Sequence, residues 1–381
     1  MKSLSQAVTG MPRSGIRVIW DKASSLPNCI RLEVGEPNFP TAPHIVKAAH
    51  RAAIEGHTKY TDNSGIPELR EQIAERFSHR TGRSATADQV VVTTGAVAAL
   101  YASLMSIVDP GDEVIVMSPS WPNYLMQLRL LGAQPVTVTT TETTGHVPTQ
   151  EQLESVVSDR TKAMLINSPG NPTGAVFNDE QLGEILEFAR RTDLYVISDE
   201  VYEEIVYEHP HVPAASHDTD GRVIGIYSFS KSYAMTGWRV GYAVASNQLA
   251  TQIRKCQEPT VSCVNGPAQY AALAALTGPQ VAVAEMREAY RERRDSVKEI
   301  LTSAGVPALN PGGAFYVWID ISAAGKSDMD FATGLIENRQ VTVVPGSTFG
   351  PGNDDRVRIS LATAPDELYE GVHRLVEEIN S

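Results

Sequence analysis

Cysteine is scarce in this chain: three in 381 residues, Cys29, Cys256 and Cys263. An odd number without metal-type spacing argues against a disulfide framework and a thiolate metal centre, and no other metal site is expected. Free thiols suit a reducing compartment, so a cytoplasmic location is expected. Long apolar runs are missing too. No stretch approaches the roughly 20 apolar residues that a membrane-crossing helix needs. Met1–Arg17 is mixed and polar, without the apolar core of a signal peptide. Positive charge is in deficit, with 32 Lys and Arg against 45 Asp and Glu and a formal net charge of −13. A nucleic-acid partner calls for a basic face, so none is expected, and nothing points to a membrane partner. Internal repeats and low-complexity segments are also absent.

What is present is the alternation of two periods. Short β-rich runs occur at Val90–Thr94, Glu113–Met117, Pro135–Thr139, Ala163–Asn167, Tyr195–Ser198, Val223–Phe229 and Val240–Ala245. Between most of them lie segments such as Asp179–Arg191, where Leu182, Ile185, Leu186 and Ala189 recur at helical spacing. This predicts an α/β fold whose large domain holds a mostly parallel seven-stranded sheet sandwiched by helices. Between Phe229 and Val240 there is too little chain for a crossover helix, so the last strand is expected to run antiparallel.

After about Ala250 the texture changes. A charged helical stretch, Ala284–Leu301, leads to the runs Phe315–Asp320, Val341–Val344 and Arg356–Leu361, with helical pattern at Phe331–Asn338 and Asp366–Ile379. A smaller α+β domain is expected here, completed by the N-terminal segment. The boundaries read as 1–40 for that segment, 41–285 for the large domain and 286–381 for the small one. A cleft between two domains commonly takes a small molecule.

In open α/β sheets, ligands sit outside the carboxyl ends of the strands. Four polar signatures fall there: Thr93–Gly95, Ser168–Gly174, Asp199–Tyr202 and Ser228–Lys231. A lysine taken alone is a solvated surface residue. Lys231 instead follows an apolar strand, between small hydroxyl residues and with Arg239 downstream. A desolvated amine has a lowered pKa and becomes a nucleophile for an aldehyde. Ser228, Ser230 and Arg239 suit a phosphate dianion beside it. Asp199 ends an apolar strand and needs a partner. It reads either as a helix cap or as the counter-ion of a cationic ring nitrogen. Asn171 lies between Gly170 and Pro172, in what is otherwise a Pro/Gly turn. Gly95, Ala96 and Val97 run from a strand end into a helix, the geometry in which N–H groups bind phosphate.

Asn171-Pro172 with Gly174, Asp199-Glu200 with Tyr202, Ser228 with Ser230-Lys231, and Arg239 with Gly241 stand in this order. The ordered set resembles the class I aminotransferases of the fold-type I pyridoxal phosphate (PLP) enzymes, in the branch of the bacterial aspartate aminotransferases. The resemblance runs from Val34-Gly35-Glu36-Pro37 to Arg358-Ile359-Ser360. It implies amino transfer from an α-amino acid to a 2-oxo acid by a ping-pong mechanism. Lys231 would carry PLP as a Schiff base, with Asp199 and Tyr202 completing the catalytic set. Asp199 would pair with the pyridine nitrogen, and Asn171 and Tyr202 would bond the ring hydroxyl oxygen. Trp121 would stack on the ring. Gly95, Ala96, Val97, Ser228, Ser230 and Arg239 would surround the phosphate. Tyr60 resembles the tyrosine that reaches the phosphate of a neighbouring subunit, which implies a homodimer. Arg358 resembles the arginine that grips the substrate α-carboxylate, with Gly35, Asn171 and Trp121 beside it.

Val97 departs from the family pattern. It stands where related enzymes carry a side-chain phosphate donor or, in some that prefer acidic substrates, a lysine for the distal carboxylate. That leaves neutral, aromatic or basic substrates open. Arg17, in the segment that closes over substrate in the family, reads either as a side-chain reader or as a surface arginine. Other reactions share the same chemistry: a C–S β-lyase, or a specialised oxidase or cyclase. Ammonia released without an acceptor would mark the β-lyase. A non-catalytic regulator on this fold would carry a basic winged-helix segment, and none is expected here.

Overall fold

The computed structural model describes residues 2–11, 14–24, 26 and 28–381. Its strands are β1 (Ile30–Arg31), β2 (Val90–Thr93), β3 (Glu113–Ser118), β4 (Gln134–Thr139), β5 (Thr161–Asn167) and β6 (Tyr195–Asp199). They continue with β7 (Val223–Ser228), β8 (Gly241–Val244), β9 (Tyr316–Asp320), β10 (Val341–Thr342), β11 (Val344–Pro345) and β12 (Arg356–Ser360). Seven of them form one sheet in the order β2-β8-β7-β6-β5-β3-β4. β3 to β7 pair in parallel. β8 runs antiparallel to both β7 and β2, as the short connection before it requires.

The central strands read largely as apolar runs because both faces are covered, whereas the edge strand β4 is mostly exposed. Val114 and Val116 pack with Leu100 and Ala99 of the helix Ala96–Ile107. Ile115 and Met117 pack on the other side with Leu182, Ile185 and Leu186 of the helix Asp179–Arg191. A capping box starts that second helix. Asn178 Oδ1 accepts from the Gln181 N–H at 2.9 Å, and Gln181 Oε1 accepts from the Asn178 N–H at 2.9 Å.

The C-terminal part builds a second unit around the antiparallel sheet β11-β12-β9. Ile319, Val357, Phe331 and Leu368 form its core together with Ile19 and Leu32 from the N-terminal segment. β1 adds to this unit by pairing in parallel with β10. The run Val341–Val344 is therefore two strands, because its first half pairs with β1 and its second half with β12. The helix Val281–Ser303 crosses residue 285 without a break. Among the described residues no helix is long and apolar enough to cross a membrane. The three cysteines are free.

Candidate active site

The ends of β5, β6 and β7 open into a cavity of about 290 Å³ that Arg358 of β12 and Gly35 also line. At its centre is Lys231. The Ser228 hydroxyl oxygen accepts from the Ser230 N–H at 3.1 Å and starts the short helix Phe229–Ser232 directly after β7. That turn brings Lys231 into the cavity wall, where Nζ donates to the Gly35 carbonyl at 2.6 Å. Burial pulls the ammonium down to about 8, and the charges of Arg358 and Arg239 act in the same direction. Glu36 and Asp199 oppose them.

Asp199 ends β6 and is 3% exposed. Burial raises its carboxyl to about 6, against the hydrogen bonds it accepts. The Tyr124 hydroxyl donates to Oδ2 at 2.6 Å, and the Val201 N–H reaches Oδ1 at 3.4 Å. Asn167, at the end of β5, donates from Nδ2 to the Asp199 carbonyl at 2.9 Å and accepts from the Asn171 N–H at 2.8 Å. The Asn171 side chain is thereby aimed at Arg358, whose Nη1 donates to Oδ1 at 2.9 Å.

Arg358 is 1% exposed. Its Nη2 donates to the Glu33 carbonyl at 2.7 Å, its guanidinium lies 4.2 Å from the Tyr316 ring centroid, and its Nε is buried without a partner. The Tyr202 and Tyr316 hydroxyls pair at 3.0 Å.

The other end of the cavity is built for an anion. Gly95 has φ +78° and precedes the helix Ala96–Ile107. The Ala98 N–H donates back to the Gly95 carbonyl at 3.1 Å, and the Ala96 and Val97 N–H groups lie ahead of the helical ladder. A Cβ on Gly95 would lie 2.6 Å from Arg239 Nη2, so glycine lets that guanidinium rest against the helix start. Arg239 itself sits at φ +54° and donates from Nη1 to the Thr236 carbonyl at 2.8 Å. Ser228, Ser230, Ala96 and Val97 line the same wall, and Trp121 lines the cavity near Tyr124.

Two expected residues stand apart within this chain. Tyr60 is 90% exposed and does not line the cavity. Arg17 is exposed on the helix Gly15–Ala23, 3.9 Å from Asp21, while its neighbour Ile16 lines the cavity. Sequence reading passed over Tyr124, Asn167 and Tyr316. Tyr124 had a signal, since it closes the stretch Ser118–Tyr124 that holds Trp121; Tyr316 had none.

A ring with a phosphate at one side, a basic nitrogen and an aldehyde would find a partner for each group here. The helix start with Arg239 suits the phosphate, buried Asp199 the protonated nitrogen, and Lys231 the aldehyde. Arg358 Nε, buried without a partner, leaves a donor that a further acceptor such as a carboxylate could satisfy.

The sequence pattern of the family "aminotransferase class I and II" matches residues 27–375. The aspartate aminotransferase of Thermotoga maritima is 41% identical over 99% of this chain and 100% of its own. The aspartate/prephenate aminotransferase of Thermus thermophilus is 39% identical over 98% of each chain. Among solved structures, the aspartate aminotransferase from Thermus thermophilus with maleate matches with a TM-score of 0.95. It is 38% identical and covers 99% of this chain and 100% of that one.

Proposed function

The chain belongs to the class I and II aminotransferases, and on that premise we propose that it binds PLP at Lys231 and aminates 2-oxo acids from a neutral α-amino acid. The observation that carries this reading is the convergence of Lys231, Asp199, Asn171, Arg239 and Arg358 on one cavity. Lys231 would hold the cofactor through its aldehyde carbon. Arg239, Ser228, Ser230 and the Ala96 and Val97 N–H groups would hold its phosphate, Asp199 its ring nitrogen, and Asn171 and Tyr202 its ring oxygen. When bound, the cofactor supplies an electron-withdrawing ring that weakens the substrate Cα–H bond.

The protein's own part is positioning and proton transfer. Arg358 offers a planar fork to the substrate α-carboxylate. Lys231 Nζ, once the substrate amine has displaced it from the cofactor, would be the base that takes up the proton leaving the substrate Cα. Asp199 keeps its charge facing the ring because Tyr124 donates to it. One cavity serves donor and acceptor in turn, which is the ping-pong order.

The preference for neutral substrates rests on the remaining wall. Among the described residues the cations that line the cavity are Lys231, Arg239 and Arg358, each with a role above, whereas Ile16, Val97, Trp121 and Tyr316 present mainly apolar surface. The relatives carry aspartate in their names, so the preference is a departure that a donor screen decides. Purified enzyme with pyruvate as acceptor is expected to transfer amino groups stoichiometrically, with kcat/KM for leucine or phenylalanine at least about tenfold above that for aspartate. A higher value for aspartate overturns the preference. Ammonia released without acceptor overturns the transfer. The same reading includes a cytoplasmic location, which the free thiols suit, and a homodimer in which Tyr60 serves the neighbouring site.

A further inference from the structure

Glu33 is a carboxylate with 0% exposure that does not line the cavity. A buried charge is unfavourable unless paired and hydrogen-bonded. Arg31 Nε donates to Oε1 at 2.6 Å. The Thr342 hydroxyl is placed to donate to Oε2 or to the Ile30 carbonyl. Arg31 is only partly buried, and its guanidinium lies 4.5 Å from the ring centroid of Trp20 on the helix Gly15–Ala23. The first turn of that helix carries Ile16 into the cavity wall.

The backbone around Glu33 is where this cluster meets the chemistry. The Glu33 carbonyl accepts from Arg358 Nη2 at 2.7 Å, and two residues later the Gly35 carbonyl accepts from Lys231 Nζ at 2.6 Å. One three-residue stretch thus presents a carbonyl to each of the two cations on which the proposed function depends. Only the Glu33 side chain in this stretch is anchored by an ion pair. Val34 and Gly35 carry no polar side chain.

We propose that Glu33, clamped by Arg31 and Thr342, is a positioning residue for Arg358. Its side chain fixes the stretch whose carbonyls aim the Arg358 fork, and Arg31 ties that stretch to the helix that carries Ile16. The inference rests on Arg358 being the carboxylate-binding arginine. The Glu33 charge also supports the Arg358 cation against the burial that pulls its pKa down.

The test is made on the cofactor-loaded enzyme with Glu33→Gln, which keeps shape but removes charge, and with Arg31→Gln and Arg31→Lys. Three quantities are measured: KM and kcat with an amino acid and with a 2-oxo acid, the thermal midpoint, and the Kd of 3-phenylpropanoate by calorimetry. Glu33→Gln and Arg31→Gln are expected to raise both KM values and the Kd about fivefold or more, with kcat within about twofold, the pattern of lost ground-state binding. Arg31→Lys restores the cation and is expected to return KM and Kd to within about twofold of the parent. Unchanged KM and Kd in both Gln variants overturn the proposal. So does a fall in kcat and thermal midpoint with KM unchanged, which marks a purely structural role. If Glu33→Gln fails to fold, the Arg31 pair decides alone, because Arg31 is partly exposed. The calorimetric Kd requires no turnover, so a failure of the proposed amino transfer is read separately from a failure of the Glu33 role.

Discussion

Burial brings the Lys231 ammonium from its ordinary 10.5 to about 8, so about a tenth of the side chain is free amine at pH 7 instead of a few parts in ten thousand. The sign is that of a base destabilised in its charged form. Covalent capture of PLP by the cofactor-free protein is therefore expected to speed up with pH and level off above a midpoint near 8. A midpoint above 10, measured by stopped-flow absorbance, would contradict the buried amine. Lys231→Ala is expected to lose the borohydride-reducible adduct and at least about 10³ in turnover while keeping its circular dichroism spectrum. Tyr124 makes a subtler case. Its bond to Asp199 holds that carboxyl lower than burial alone would set it. A hydrogen bond to a charged group is worth about 1.5–3 kcal/mol. Tyr124→Phe should thus cut kcat about tenfold or more and leave KM for the amino acid nearly unchanged. A KM effect without a kcat effect would place Tyr124 on the substrate instead.

At the scale of elements, the start of the helix Ala96–Ile107 shows how local geometry makes a site. Gly95 tolerates φ +78° and leaves Arg239 the room that a Cβ would fill. Gly95→Ala is expected to weaken PLP about tenfold or more in equilibrium dialysis, with the carboxylate affinity at Arg358 unchanged. Equal losses at both ends would point to general unfolding. This helix start was legible in the sequence because strand, glycine and apolar helix follow one another within a few residues. The sheet was legible for a similar reason, since strands covered on both faces read as runs, and the short chain between β7 and β8 dictates an antiparallel turn back. What escaped reading depends on distant partners. The run Val341–Val344 divides because its halves meet β1 and β12, and nothing local marks the break. Tyr316 matters through Tyr202, more than a hundred residues away, and Glu33 through Thr342. Such pairs are created by tertiary packing, which no period or turn residue encodes. Among the convergent residues, Asp199, Asn171 and Lys231 announce themselves as polar groups at apolar strand ends. Arg358 lies inside an alternating strand and was found by resemblance alone.

At the scale of the whole molecule, the position of Tyr60 is hard to explain in a monomer. Tyrosine is intermediate in burial among residue types, yet Tyr60 is 90% exposed. It stands on the segment that packs against the helix Gly266–Thr277, where the Tyr270 hydroxyl meets His57 Nδ1 at 3.2 Å. In the proposed homodimer this exposed ring would be covered by the second subunit and would reach the phosphate end of its cavity. Hybrid dimers test that directly. Lys231→Ala abolishes a site through the subunit that contains it, and Tyr60→Ala would impair the site of the neighbour. If the two subunits are denatured together and refolded in equal amounts, half of the dimers are hybrids. With Tyr60 acting across the interface, both lesions fall on one site of each hybrid and the other site is intact. About a quarter of all sites then recover parental turnover. If Tyr60 acts within its own subunit, or not at all on the cofactor, no site regains the parental combination. Turnover in the mixture then stays at the mean of the two variants measured apart, and the shared site is overturned.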